Sequence, residues 1–221
     1  MPEEVLFCWS GGKDSAMALH ALQSERDCHV AALLTTVTEE YDRISMHGVR
    51  RALLEQQAES LGLPLHAVLI PPHCPNTTYE ERMKEAMLAQ AALGVHRVAF
   101  GDIFLEDLRV YRERNLALLR MEAVFPIWKR DTRELAADFL RLGFRAIAVC
   151  VDPRVLDASF AGRLLDASFF ADLPPGVDPC GENGEFHSFV FDGPGFSAPI
   201  SFRTGEKVVR DGFCFCDLLP A

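Results

Sequence analysis

Near its start the chain passes from five apolar residues, Val5-Leu6-Phe7-Cys8-Trp9, straight into Ser10-Gly11-Gly12-Lys13-Asp14-Ser15, after which Ala16, Leu19, His20 and Leu22 keep helical spacing. That order reads as strand, loop, helix. Two adjacent glycines let a backbone approach a ligand without Cβ clashes. Amide N–H groups then converge at a helix N-terminus, where the macrodipole favours an anion. Lys13 adds a full positive charge, and Ser10 and Ser15 add hydroxyls, so the string points to phosphate. It has neither the GxxxxGK spacing followed by Ser or Thr nor GxGxxG. A Gly-Gly turn alone would be read as a helix cap; the whole string at the first βα turn argues for a ligand site.

The pattern then repeats. Apolar runs at Val30 to Val37, Leu65 to Ile70 and Val95 to Phe100 alternate with helical stretches at 49–61 and 80–93, the latter closed by Gly94. Strands alternating with helices of about 10–15 residues indicate βαβ units on a parallel sheet. After residue 125 the texture changes. Phe125-Pro126-Ile127-Trp128 resembles a linker, 132–142 is helical with Asp131 or Thr132 as cap, Ala146 to Val151 is a buried strand, and from Pro174 onward Gly and Pro separate short strand-like runs. The expected class is α/β: residues 1–125 form a parallel-sheet, Rossmann-like nucleotide domain, and residues 126–221 a smaller C-terminal α+β domain that would choose the substrate or acceptor. Leu156-Asp-Ala-Ser-Phe160 recurs as Leu165-Asp-Ala-Ser-Phe169, which reads as chance or a short duplication beside a turn.

Charge and cysteine usage narrow the classes. The 221 residues carry a formal charge of −10, and both halves are acidic, which argues against a nucleic-acid partner. The start, Met-Pro-Glu-Glu, lacks the basic, then apolar, character of a signal peptide, and no apolar run is long enough for a membrane span. Seven cysteines without framework spacing suggest reduced thiols and a cytoplasmic location. Cys214 and Cys216 fit one face of a strand better than a zinc pair.

The Ser10–Ser15 string resembles the pyrophosphate loop (PP-loop) of N-type ATP pyrophosphatases. Further strings follow in order: Met46-His47-Gly48-Val49-Arg50, Gln57-Ala58, Leu61-Gly62-Leu63-Pro64, Tyr79-Glu80, Gly101-Asp102-Ile103, Tyr111-Arg112-Glu113-Arg114, Phe125-Pro126-Ile127-Trp128, Gly143-Phe144-Arg145-Ala146 and Asp178 to His187. Together they resemble the diphthine–ammonia ligase (diphthamide synthase) family over nearly the whole chain. The resemblance implies an adenine nucleotide alpha-hydrolase-like fold and an ATP-dependent ligase that adenylates a carboxylate and forms an amide with ammonium, releasing AMP and pyrophosphate. No glutaminase segment is visible, which fits free ammonium as donor. Ser10, Gly11, Gly12, Lys13 and Ser15 would bind phosphates, and Asp14 would hold Mg²⁺ or orient the loop. Family members acting on diphthine tend to read Gly-Gly-Glu-Phe/Tyr-Glu-Thr in the C-terminal loop. Here the loop reads Asn183-Gly184-Glu185-Phe186-His187-Ser188, as in a bacterial-type branch, so the acceptor is left open between a small molecule and a modified protein side chain.

Among single residues, Glu182, Glu185 and His187 crowd one Gly-containing loop and are candidates for acid/base work or a second Mg²⁺ contact, against solvent-facing acids. Gly101 and Asp102 end the fourth strand, where open α/β sheets bind ligands; a helix cap is the plainer role for Asp102. Thr35, Thr36 and His47 would flank adenine or ribose. Arg112 and Arg114 would meet phosphate or carboxylate unless they are only solvated helix charges. Cys180 reads as a packed residue. Two rival functions compete: a PP-loop tRNA-modifying enzyme, which the acidic balance and the lack of CxxC disfavour, and a non-catalytic ATP-binding regulatory protein. A homodimer is compatible with the sequence.

Overall fold

The computed structural model describes residues 2–25, 27–45 and 47–221; Met46, quoted beside His47 above, lies outside them. The first sheet is built from β1 (Glu3–Cys8), β2 (Cys28–Thr38), β3 (Arg43–Ile44), β4 (Leu65–Ile70), β5 (Arg97–Ala99) and β6 (Glu122–Val124). Its parallel strands run β4-β2-β1-β5-β6, with the two residues of β3 antiparallel on the end of β2. The strand order therefore reverses at β1, the first strand laid down. Helices α1 (Lys13–Gln23), α2 (Arg51–Leu61), α3 (Asn76–Ala92) and α4 (Glu106–Ala117) connect the strands. In such sheets ligands bind beyond the strand C-termini at the switch point, which is where the Ser10–Ser15 loop leaves β1.

Alternation along β1 sends Val5 and Phe7 to one face and Leu6 to the other, and all three are fully buried. Burial on both faces is why this strand reads as one continuous apolar run. Helix α2 ends at Gly62, in the left-handed region at φ 67°, and Leu63 N–H returns to Ala58 O at 3.0 Å.

The second sheet is antiparallel, ordered β8-β7-β10-β9 from β7 (Arg145–Val151), β8 (Phe186–Asp192), β9 (Phe202–Arg210) and β10 (Phe213–Pro220). Helix α5 (Thr132–Arg141) precedes it, capped by Asp131, whose carboxylate accepts from Arg133 and Glu134 N–H. One apolar core runs from Val5, Phe7 and Trp9 through Leu53 to Phe139, Ile147 and Phe189, joining the two sheets.

The Leu-Asp-Ala-Ser-Phe repeat forms two Asp-capped turns: a single 3₁₀ turn at Ala158–Phe160 and the short helix α6 at Ala167–Ala171. Their phenylalanines, Phe160 and Phe169, meet edge-on at 5.3 Å inside the core. Cys214 and Cys216 lie on the buried face of β10, as their alternation predicts. No helix among the described residues is long and apolar enough to cross a membrane.

Candidate active site

The loop after β1 is held open from below. Gly11 sits at φ +77°, and a Cβ there would come within 2.7 Å of Gln57 Oε1. Gln57, fully buried on α2, accepts from Trp9 Nε1 at 2.9 Å and donates to Gly11 O at 3.0 Å and to Val190 O. Val190 N–H also donates to Gly11 O at 2.9 Å, and Lys13 N–H donates to Ser188 Oγ at 3.0 Å. Strand β8 of the second sheet thus grips the loop of the first. Ser10 Oγ and Ser15 Oγ are 2.8 Å apart across the loop, and Gly12 N–H donates to Ser10 Oγ at 3.3 Å. The N–H groups of Asp14 and Ser15, in the first turn of α1, carry no backbone acceptor among the described residues. These are the orphan donors that make a helix start an anion site.

A cleft of about 390 Å³ opens over this loop. Its walls include Ser10, Gly12, Lys13, Asp14 and Ser15, then Thr35 and Thr36 towards the end of β2, His47, Gly101, Asp102, Glu182 from the loop before β8, and His187, which lies on β8 itself and not in the Gly-containing loop where its sequence neighbours put it. Residues singled out in the first part of the chain, Arg112 among them, therefore meet Glu182 and His187 from the last fifth. Gly101 passes so close to α1 that a Cβ would lie 3.0 Å from Ser15 N. Gly11 is not on the cleft wall, and neither is Glu185. The buried Glu185 carboxylate accepts from Asp178 N–H, Asn183 N–H and Asn183 Nδ2, each at 3.0 Å, so it is committed to shaping its own loop. Asp178 assists by accepting from Cys180 and Glu182 N–H. Arg114 is exposed on α4 and is absent from the cleft wall.

The cations of the cleft are already paired. Lys13 is 1% exposed; its Nζ donates to Asp14 Oδ1 and, at 3.1 Å, to Cys180 O. Burial opposes its charge, yet the adjacent Asp14 carboxylate holds the ammonium above the ordinary lysine range. Arg112 forks onto Asp102 through Nε at 2.7 Å and Nη2 at 3.2 Å, and its guanidinium lies 4.3 Å from the Phe100 ring centroid. Glu182 is pushed up to about 7, chiefly by burial, against the N–H groups of Ile103 at 2.7 Å and Phe104 at 3.3 Å that favour its charged form. Such a carboxyl exchanges a proton near neutral pH.

The rings of His47 and His187 are 4.6 Å apart and tilted by 34°, and His47 Nδ1 is buried with no partner among the described residues. Burial pulls both imidazoles down, His47 to about 3, so both are neutral acceptors. The thiols of Cys8 and Cys180 are pushed up to about 12 by burial, and Cys180 Sγ donates to Thr132 O at 3.4 Å. Neither is a thiolate at neutral pH.

The donors facing the cleft suit a magnesium ion. Asp14 is half-buried and gives one oxygen to Lys13, which leaves its second carboxylate oxygen for a cation. Mg²⁺ takes one or two carboxylates together with water and phosphate oxygens and needs no protein cage.

Gln57 and Ser188 were not among the expected ligand-site residues. Gln57 had a signal: it occupies an apolar position of α2, in line with buried Leu53, Leu54 and Ala58, where only a bonded polar side chain is tolerated. Ser188 had none, because its partner lies 175 residues away in the chain.

Known proteins show the same two-part layout. The diphthamide synthase N-terminal domain matches residues 3–118 and the diphthamide synthase C-terminal domain matches residues 131–219. Diphthine–ammonia ligase of Rattus norvegicus is 24% identical over 229 residues, 93% of this chain and 85% of that protein. Its counterpart in Danio rerio is 26% identical over 228 residues, 93% of this chain and 89% of that protein. The Homo sapiens protein is 23% identical over 229 residues, 93% of this chain and 85% of that protein. With both family domains matched in order along nearly the whole chain, the protein belongs to the diphthamide synthase family.

Proposed function

We propose that this chain adenylates a carboxylate over the Ser10–Ser15 loop and that ammonia then displaces AMP to leave an amide. Its family is one of ATP-dependent amide-forming ligases, and the relatives named above are diphthine–ammonia ligases. The observation that carries the reading is the meeting, in one cleft, of orphan amides at the start of α1 with Glu182 and His187.

In this reading residues 1–125 bind the nucleotide and residues 126–221 supply the loop that completes the site. The amides of Asp14 and Ser15, the hydroxyls of Ser10 and Ser15, Gly12 and Lys13 receive the β- and γ-phosphates, while Gly11 gives the loop its turn. Thr35, Thr36 and His47 flank the nucleoside, and Gly101 lets it approach the sheet. Asp102 fixes Arg112 at the far wall. Asp14 would hold Mg²⁺, which supplies charge neutralisation for the leaving pyrophosphate. A carboxylate oxygen attacks the α-phosphorus and pyrophosphate leaves. Ammonia next attacks the acyl carbon, AMP leaves, and the surplus ammonia proton passes to Glu182, with His187 on the same cleft wall as a neutral imidazole. Glu185 acts at one remove, by holding the 178–185 loop.

The acceptor is a carboxylic acid, either free or on a modified protein side chain. Metabolite and protein-modification profiling of a deletion strain tests the reading: one free acid should accumulate while its amide disappears. An unchanged acid-to-amide balance across the profile would count against it.

A further inference from the structure

A second cavity, about 610 Å³, lies between α3 and α4 and is larger than the nucleotide cleft. The two spaces share Tyr79, Met83, Phe100 and Arg112, so one wall serves both. Helices α3 and α4 fully bury only Met87, Gln90 and Leu116 between them, which is little for elements of 17 and 12 residues. Phe100, Met87 and Leu116 form the buried floor of the gap, while Leu88 and Leu118 on its rim are 46% and 79% exposed. A cavity of a few hundred Å³ with an apolar lining and few polar groups is the usual form of a small-molecule site.

Charge decides which small molecule. Arg112 is the cation on the shared wall. Asp102 takes its Nε and Nη2, Phe100 stacks on its face, and Nη1 has no hydrogen-bond partner among the described residues. A carboxylate crossing from this cavity toward the phosphate loop passes that guanidinium. Exposed Lys84 and Arg120 border the same space, against Glu80 and Glu81. Glu80 is already engaged by Tyr111 Oη at 3.0 Å.

We infer that the α3–α4 cavity holds the body of the acceptor, and that the acceptor is a monocarboxylic acid with an apolar aryl or branched alkyl group whose carboxylate reaches the cleft past Arg112. This rests on the adenylation reading above and moves acceptor selection from the C-terminal part of the chain to two helices of the N-terminal part.

The test uses the full chain with methyl-labelled methionine and phenylbutyrate as probe, because Met83 and Met87 line the cavity while Met17 and Met121 do not. Phenylbutyrate should shift the Met83 and Met87 methyl signals saturably and leave Met17 and Met121 in place. Acetate, lacking the apolar body, should shift neither, and phenylbutanol, lacking the charge, should bind more weakly by about tenfold or more, as for one lost hydrogen bond to a charged group. Leu88→Asp should weaken phenylbutyrate by about tenfold through like-charge repulsion without altering ATP affinity. In Lys13→Ala the phenylbutyrate shifts should persist after ATP binding is lost, which separates this inference from the nucleotide reading. Absence of saturable shifts at Met83 and Met87, an equal response to phenylbutanol, or a Leu88→Asp protein that binds phenylbutyrate as before would each overturn it.

Discussion

Gln57→Met removes the carboxamide that ties both sheets to the phosphate loop and keeps its length, so the change leaves almost no cavity and the packing terms stay small. Gln57 is 0% exposed, and water does not replace what is lost. Trp9 Nε1–H loses its acceptor and Val190 O loses a donor, whereas Gly11 O keeps the Val190 N–H at 2.9 Å. Two buried polar groups left short at roughly 1–3 kcal/mol each give a destabilisation of about 2–6 kcal/mol. Against a typical total of about 5–15 kcal/mol, the urea midpoint should fall visibly with an unchanged slope. ATP affinity should fall as well, because Gly11, at φ +77°, keeps only one of the two donors that hold its carbonyl. A loss under about 0.5 kcal/mol, below the cost of even one such group, would refute the reasoning.

Lys13→Ala should weaken ATP by about a hundredfold or more, the scale of a charge-assisted phosphate contact, as read by calorimetry. Glu182, raised to about 7, binds a proton in the folded state that it releases when unfolded between pH 4.5 and 7. Wild-type stability should therefore fall relative to Glu182→Gln as pH rises through that window, by about 3 kcal/mol at most, and a pH–rate limb near 7 should vanish in the variant. Asp217, held near 2 by Arg43 and Arg50 despite partial burial, fastens the loop that carries His47 to β10. Asp217→Asn should cost about 2 kcal/mol at neutral pH, and that deficit should disappear as wild type is acidified from 3.8 through 2.

Local structure was legible where the apolar pattern is strong. Strand β4 has the bounds its run Leu65 to Ile70 predicts, and of the two residues offered as cap for α5, Asp131 and Thr132, the first takes the role. Helix α3 begins at Asn76, four residues before the apolar period starts, because Pro75 and the polar first turn Asn76-Thr77-Thr78 carry no periodicity. Helix α4 is mostly polar and half-exposed, so its bounds could not be read from hydrophobic spacing. In the site, the phosphate string announced itself because its chemistry is contiguous in sequence. The grip of Ser188 and Val190 on the loop was invisible, because contacts made by tertiary packing leave no local pattern. Glu185 is instructive in the other direction: three carboxyl and imidazole groups in six residues looked like one acid/base set, yet backbone amides of the same loop claim its carboxylate.

The most direct measurement is phosphorus NMR of the products formed from Mg²⁺-ATP and ammonium with a panel of carboxylic acids. AMP and pyrophosphate in equal amounts, accumulating beyond one equivalent of enzyme only when both an acid and ammonium are present, are the predicted result. ADP and orthophosphate would contradict attack at the α-phosphorus.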